Sequence, residues 1–130
     1  EPWNRMTELA ADVNTTPAIN QVFYGATYPS PDTFFFTQYH SRAAGTWASM
    51  EWVLSDEVDA MIDEARTISD VERQNAIYKS LQRKLVEDQV DVFVLTQQSQ
   101  QAFHKCLQGF TWVPMQSFEF NFHTMQWVCD

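Results

Sequence analysis

The side chains with the plainest capacity for chemistry here are aromatic and hydroxylic, not nucleophilic. Tyr24 and Tyr28 flank Gly25-Ala26-Thr27 within Val22–Pro31, Val-Phe-Tyr-Gly-Ala-Thr-Tyr-Pro-Ser-Pro. Trp47, Met50 and Trp52 follow in a segment with no clean period. Aromatic faces stack on sugar rings and other flat ligands, and binding sites are lined mainly by such side chains. The residues fit non-covalent capture of a ligand. They are equally compatible with plainer roles: core filler for the tryptophans, and a surface-packed strand–turn connection for the tyrosines.

Catalytic chemistry is poorly served. Asp32 and Glu51 flank the aromatic loops and are the pair a hydrolase would use. General acid–base work needs two carboxyls at a defined separation and one raised pKa, and the sequence defines neither. No Gly-x-Ser-x-Gly elbow and no phosphate-cradling glycine loop occurs. His40, His104 and His123 are far apart, and the two cysteines lack a Cys-x-x-Cys spacing, so neither a metal nor a cofactor is expected. Asp59, Asp63, Glu64, Glu72 and Glu87 lie on expected helices and read as caps and solvated faces.

Charge narrows the partners. The chain of 130 residues has 8 Lys+Arg against 17 Asp+Glu, a net charge of −9. Nucleic acids and anionic membrane surfaces both require a positive face. No apolar run approaches the ~18 residues of a membrane span, so direct membrane insertion is not expected. The expectation is a binding protein, not an enzyme.

The elements that must position the aromatic residues follow from pattern. Gln21–Tyr24 predicts a short buried strand, ended at Gly25 by torsions other residues avoid. Pro29 and Pro31 stiffen the exit, so Tyr24 and Tyr28 would stand at the carboxyl end of a sheet, where ligands of α/β folds sit. A helix is expected from Pro2 to Val13, with Met6, Leu9, Ala10 and Val13 on one face and Trp3 at its entrance as a core or staple residue. Asp32 should cap a short helix through Phe34, Phe35 and Phe36, the other possibility being a patch that faces a missing partner domain. Ser55 should cap a helix from Asp56 to Thr67 with Val58, Met61, Ile62 and Ala65 inward. Ser69-Asp70-Val71-Glu72 forms a capping box that opens a helix to Glu87. Val90–Thr96 reads as a buried strand, Ala102–Cys106 as another ended by Gly109, and the alternating Phe118–His123 as the clearest strand of all. Helices with several separated strands predict α/β layers. The few strands and 10 Phe, 5 Trp and 4 Tyr predict that this piece does not close a full core alone.

Taken in order, these stretches resemble the C-terminal portion of an extracytoplasmic solute-binding protein of family 5, the peptide/nickel/oligosaccharide class of ABC-transporter substrate-binding proteins. Trp3 opens a short helix. Tyr24-Gly25-Ala26-Thr27-Tyr28-Pro29-Ser30-Pro31 is similar to the family's strand-end motif. Ser55 to Ala65 resembles its Asn-Pro-Glu-Val-Asp helix start. Asp70–Tyr78 and Leu85-Val86-Glu87-Asp88 resemble the helix before its late strand, here Asp91–Thr96, and Gly109-Phe110 matches a further Gly-Phe turn.

The resemblance implies part of a two-lobed, type II venus-flytrap fold. Residues 1–95 would form the C-terminal part of the second lobe, and residues 96–130 the hinge crossing and a tail returning to the first lobe. It implies capture of a small-molecule solute, delivery to a membrane ABC permease, and a periplasmic or cell-surface lipoprotein setting. The start at Glu1-Pro2-Trp3, with no initiator methionine, is expected to reflect a removed leader or an excised piece. Peptide-binding members commonly carry an aspartate where this chain has Thr27. A hydroxyl cannot pair a desolvated ammonium. A neutral polyhydroxy ligand, an oligosaccharide or sugar conjugate, is therefore expected over a free-amine peptide, with Tyr24, Gly25, Thr27, Tyr28, Trp47, Met50 and Trp52 as ligand-binding residues. Cys106 and Cys129 fit either two buried thiols or, in an oxidising compartment, a bridge over a sequence separation of 23. A stand-alone aromatic-rich carbohydrate-binding module is the alternative.

Overall fold

The computed structural model describes residues 2–96, 98, 100–112 and 120–129. The chain divides into two compact units with the boundary between Val92 and Phe93.

The first unit holds four α-helices: α1 (Trp3–Ala10), α2 (Asp32–Tyr39), α3 (Asp56–Thr67) and α4 (Val71–Glu87). Local chemistry sets their ends. Helix α1 stops three residues short of the expected Val13, because the Thr15 and Thr16 hydroxyls donate to the Leu9 carbonyl at 2.9 and 3.3 Å and take over the last turn. In α2, Asp32 is the first helical residue and not the cap; Pro31 precedes it with its torsions already helical. Ser55 caps α3 as expected, its Oγ accepting from the Val58 N–H, with Asp56, Glu57 and Asp59 in the first turn and Arg66 in the last. Helix α4 is capped by Asp70 rather than Ser69: Asp70 Oδ1 accepts from the Glu72 and Arg73 N–H groups at 2.9 and 3.0 Å. A carboxylate offers full negative charge to the positive helix end, so it displaces the serine one position upstream.

The C-terminus of α4 is a Schellman closure. The Val90 N–H bonds the Leu85 carbonyl and the Gln89 N–H bonds that of Val86, both at 3.2 Å, with Gln89 left-handed at φ 55°. Val90 thereby packs beside Leu85 on the core of the unit. That core is Tyr39, Val58, Ile62, Leu81 and Leu85, flanked by Phe35, Phe36 and Met61. Phe35 stacks on Tyr78 at 5.1 Å, and Arg66 covers the Phe36 ring at 4.1 Å. Three successive phenylalanines on one short helix thus reach separate neighbours. A short 3-10 turn, Ser41–Ala43, follows α2.

The second unit carries a two-residue antiparallel ladder, β1 (Leu107–Gln108) with β2 (Gln126–Trp127), in register Leu107–Trp127 and Gln108–Gln126. Cys106 and Cys129 are bonded beside it, and the Val128 N–H donates to the Cys106 carbonyl at 2.7 Å. Gly109 is left-handed at φ 81°, and a Cβ there would sit 2.0 Å from the Thr124 carbonyl oxygen, so only glycine fits. Phe103, Phe110 and Phe120 cluster with centroids 4.7 to 6.1 Å apart.

Four expected strands differ from what is observed. Gln21–Tyr24 forms no ladder among the described residues, although burial alternates along it, Val22 and Tyr24 inward and Gln21 and Phe23 outward. Val90–Thr96 is irregular, and Val92 and Val94 are 88% and 79% exposed. A continuous apolar run is buried only where both faces are covered, and among the described residues nothing covers this one past Asp91. Ala102–Cys106 is loop and turn, with strand beginning at Leu107. Of Phe118–His123, residues 118 and 119 lie outside the described residues, and Phe122–Thr124 is a 3-10 turn capped by Asn121, whose side chain accepts from the His123 N–H. No helix among the described residues is long and apolar enough to cross a membrane.

Candidate functional site

An open groove of ≈ 570 Å³ lies on the first unit, lined by Trp3, Met6, Gln21, Val22, Phe23 and Trp47. Helix α1 presents Trp3 and Met6 one turn apart, and the alternating segment 21–24 runs along the other wall. The Trp47 ring stands between Trp3 (centroids 5.4 Å) and Tyr24 (5.7 Å), and Tyr24 meets the edge of Phe34 at 5.6 Å. Trp3 and Trp47 keep 54% and 37% of their surface exposed, so the wall offers aromatic faces to solvent.

The loop behind the wall is held by hydroxyls. Thr33 is fully buried. Its Oγ1 lies 2.8 Å from Thr27 Oγ1 and accepts the Thr27 N–H at 3.2 Å, while the Tyr24 hydroxyl donates to the Thr33 carbonyl at 3.1 Å. Tyr28 donates to Asp32 Oδ2 at 2.6 Å; partial burial, then that bond, pushes its hydroxyl up to about 12. Asp32 Oδ1 lies 3.2 Å from Arg66 Nε. The 24–33 loop is thus a set of local bonds that aim Tyr24 at Trp47.

The residues expected to bind ligand separate into two groups. Tyr24 and Trp47 come together on the aromatic wall. Gly25 lies beside them with open space where a Cβ would go and no left-handed φ; the left-handed glycines are Gly45 and Gly109 instead. Thr27 and Tyr28 are exposed, their hydroxyls engaged with Thr33 and Asp32. Met50 is buried. Trp52 is half-buried and turned inward: its indole N–H donates to Thr16 Oγ1 at 2.9 Å, and its ring packs against Gly45. Met50 and Trp52 therefore brace the loop from within. Trp3, Met6, Val22 and Phe23 are wall residues that pattern reasoning left in structural roles. The signal for them was Trp3, a large aromatic at a helix entrance.

The remaining polar candidates form other clusters. His40 is buried against Phe36; its Nδ1 accepts the Arg42 N–H at 3.1 Å, and Asp59 and Asp63 lie 3.4 Å from its two nitrogens. His104 stacks on Trp127 at 4.9 Å. Among the described residues, no group of His, Cys, Asp and Glu is placed to hold a metal ion. Asp32 answers to Arg66 and Tyr28, whereas Glu51 faces Asp91 and Tyr39, so the two carboxylates serve different clusters. Burial, and secondarily the Asp91 charge, raise Glu51 from 4.5 to about 7.

Comparison with protein-family models, curated proteins and solved structures finds no match to this chain.

Proposed function

We propose that this chain is part of the substrate-binding component of an ABC importer, an α/β, two-lobed solute-binding protein of family 5. In this reading it is a non-enzymatic, periplasmic or surface-tethered protein that captures a neutral polyhydroxy solute and passes it to a membrane permease. Residues 1–95 would belong to the second lobe and residues 96–130 to the hinge and returning tail. The observation that supports it is the half-exposed aromatic wall of Trp3, Trp47 and Tyr24 along an open groove, backed by neutral hydroxyls where a peptide amine would need a carboxylate. Flat apolar faces match the faces of a sugar ring.

Tryptophan fluorescence tests this reading, because two of the five tryptophans line the wall. Maltose, cellobiose and chitobiose should quench the full-length gene product and raise its melting temperature, while trialanine should do neither. Quenching by trialanine alone, or by none of these ligands, overturns the assignment. A carbohydrate-binding module is the second reading, favoured by the same aromatic wall. It requires that the 130-residue chain by itself melts cooperatively and binds sugar as tightly as the full-length product.

A further inference from the structure

Two residues far apart in sequence bond where the chain leaves the first unit, and a third carboxylate lies near them. Tyr39, the last residue of α2, is buried, and its hydroxyl donates to Asp91 Oδ2 at 2.6 Å. Burial, then that bond to a carboxylate, raise the Tyr39 hydroxyl far above its ordinary range, so it remains a donor. Asp91 follows directly on the Schellman closure at Gln89–Val90. The next side chain, Val92, is 88% exposed. Asp91 is therefore the last side chain of the unit with an anchoring bond among those described.

Glu51 approaches the same cluster from the loop after Trp47, two residues on from Ser49, whose hydroxyl donates to the carbonyl of Gln38, the neighbour of Tyr39. Backbone N–H groups of Met50 and Glu51 support its carboxylate, but Oε2 is buried with no hydrogen-bond partner. The charged and titratable groups whose fields act on it are Asp91 on the exit segment and Tyr39 on α2. No cation pairs with it among the described residues. Its backbone position is constrained. Trp52 beside it holds a left-handed φ of 51°, which a bulky residue keeps only when its surroundings impose it. Here the indole bond to Thr16 and the ring contact with Gly45 do so.

We propose that Tyr39, Glu51 and Asp91 form a pH-responsive latch on the chain exit, closed while Glu51 is neutral and loosened when it ionises. With Glu51 neutral, the cluster holds one negative charge, that of Asp91, satisfied by the Tyr39 O–H. Ionisation adds a second negative charge to the same desolvated space with no cation to offset it. The member that yields is the one on the least constrained backbone. Tyr39 is fixed on a helix and Glu51 behind the strained turn at Trp52, whereas Asp91 sits on irregular chain. Asp91 moves, and the exit at Val90–Val92 keeps only the Leu85 bond and the packing of Val90. The raised ionisation of Glu51 places the change near neutral pH. The inference stands on this geometry and does not depend on the transport reading.

Amide hydrogen exchange on the 130-residue chain tests it, with rates corrected for intrinsic pH dependence. Protection at Val90, whose N–H bonds the Leu85 carbonyl, should fall about tenfold between about pH 5.5 and about pH 8.5, while Ile62 and Leu81 hold theirs. Glu51→Gln, neutral throughout, should keep the exit protected at both pH values. Tyr39→Phe should leave it open at both. Equal wild-type protection at the two pH values, or an unchanged pH response in Glu51→Gln, overturns the proposal. Failure of Glu51→Gln to fold also overturns it, because the closed latch requires a neutral side chain there. On the wild type alone, carbon-detected titration of the Glu51 carboxyl should show a midpoint near neutrality, and one at an ordinary carboxylate value refutes the latch.

Discussion

The Tyr39 hydroxyl and the Asp91 carboxylate meet at 2.6 Å across 52 residues of sequence. The bond closes the first unit, joining the end of α2 to the residue just past the α4 closure. It is neutral-to-charged, buried on the tyrosine side, and aligned with the apolar packing of Val90 against Leu85.

Replacing Tyr39 by Phe keeps the ring in the core and removes only the bond. Stability should fall by about 1–2 kcal/mol, less than a fully buried loss because Asp91 can recover water. Urea denaturation of both proteins measures this. A change within error would assign the closure to Val90 packing alone.

Glu51 makes stability depend on pH in a stated direction. Its folded value of about 7 lies above its ordinary 4.5, so the folded state holds the proton more tightly. Stability from this group is full below about pH 4.5 and is lost as pH rises through about 7, then stays level. Discounted for partial solvent access, the loss is on the order of 1–3 kcal/mol. Glu51→Gln should flatten that part of the profile in denaturant titrations run at stepped pH.

Thr33 is the hidden pin of the aromatic wall. Thr33→Val keeps shape but leaves the Thr27 N–H and hydroxyl without their shared partner. A loss of about 1–2 kcal/mol is expected, with a weakened near-ultraviolet signal from Tyr24 and Trp47. Thr33→Ser should retain most of both.

Gln89 occupies the left-handed position that ends α4, where glycine carries no Cβ penalty. Gln89→Gly should stabilise the protein by about 0.5–1 kcal/mol, partly offset by added freedom in the unfolded chain. A thermal melt showing destabilisation would mean that the glutamine side chain makes a stabilising contact of its own.

The Cys106–Cys129 bridge, with a sequence separation of 23, should contribute about 3 kcal/mol to the second unit. Reduction should abolish the Trp127–His104 stack and the β1–β2 ladder while leaving the helical signal of α3 and α4 in place. Far- and near-ultraviolet circular dichroism, followed together on adding dithiothreitol, separates the two.

Helices α3 and α4 were legible because their determinants are local. Ser55 and Asp70 satisfy N–H groups two or three residues away, and Val58, Ile62, Leu81 and Leu85 repeat at the spacing that one buried face demands. The strands were not. Val92-Phe93-Val94-Leu95 has the composition of a buried strand, yet a ladder needs a second chain segment in register, which composition cannot supply. The two paired residues on each side, Leu107–Gln108 and Gln126–Trp127, sit beside a covalent bridge and not in the most strand-like stretches.

The candidate site divides along the same line. The sequence by itself determined the chemical repertoire: acidic charge, no nucleophile motif, and aromatic rings concentrated near Tyr24 and Trp47. It also determined the Ser55 cap of α3 and the apolar stripes of α3 and α4, since those interactions act within one or two turns, whereas Pro31 and Asp70 stand where Asp32 and Ser69 were the expected caps. Tertiary structure alone decided that Trp3 joins Trp47 and Tyr24 on an open groove while Met50 and Trp52 turn inward. It alone set Glu51 beside Asp91. Those outcomes depend on which distant segments share a buried volume, and burial, unlike capping, is a property of the whole packed unit.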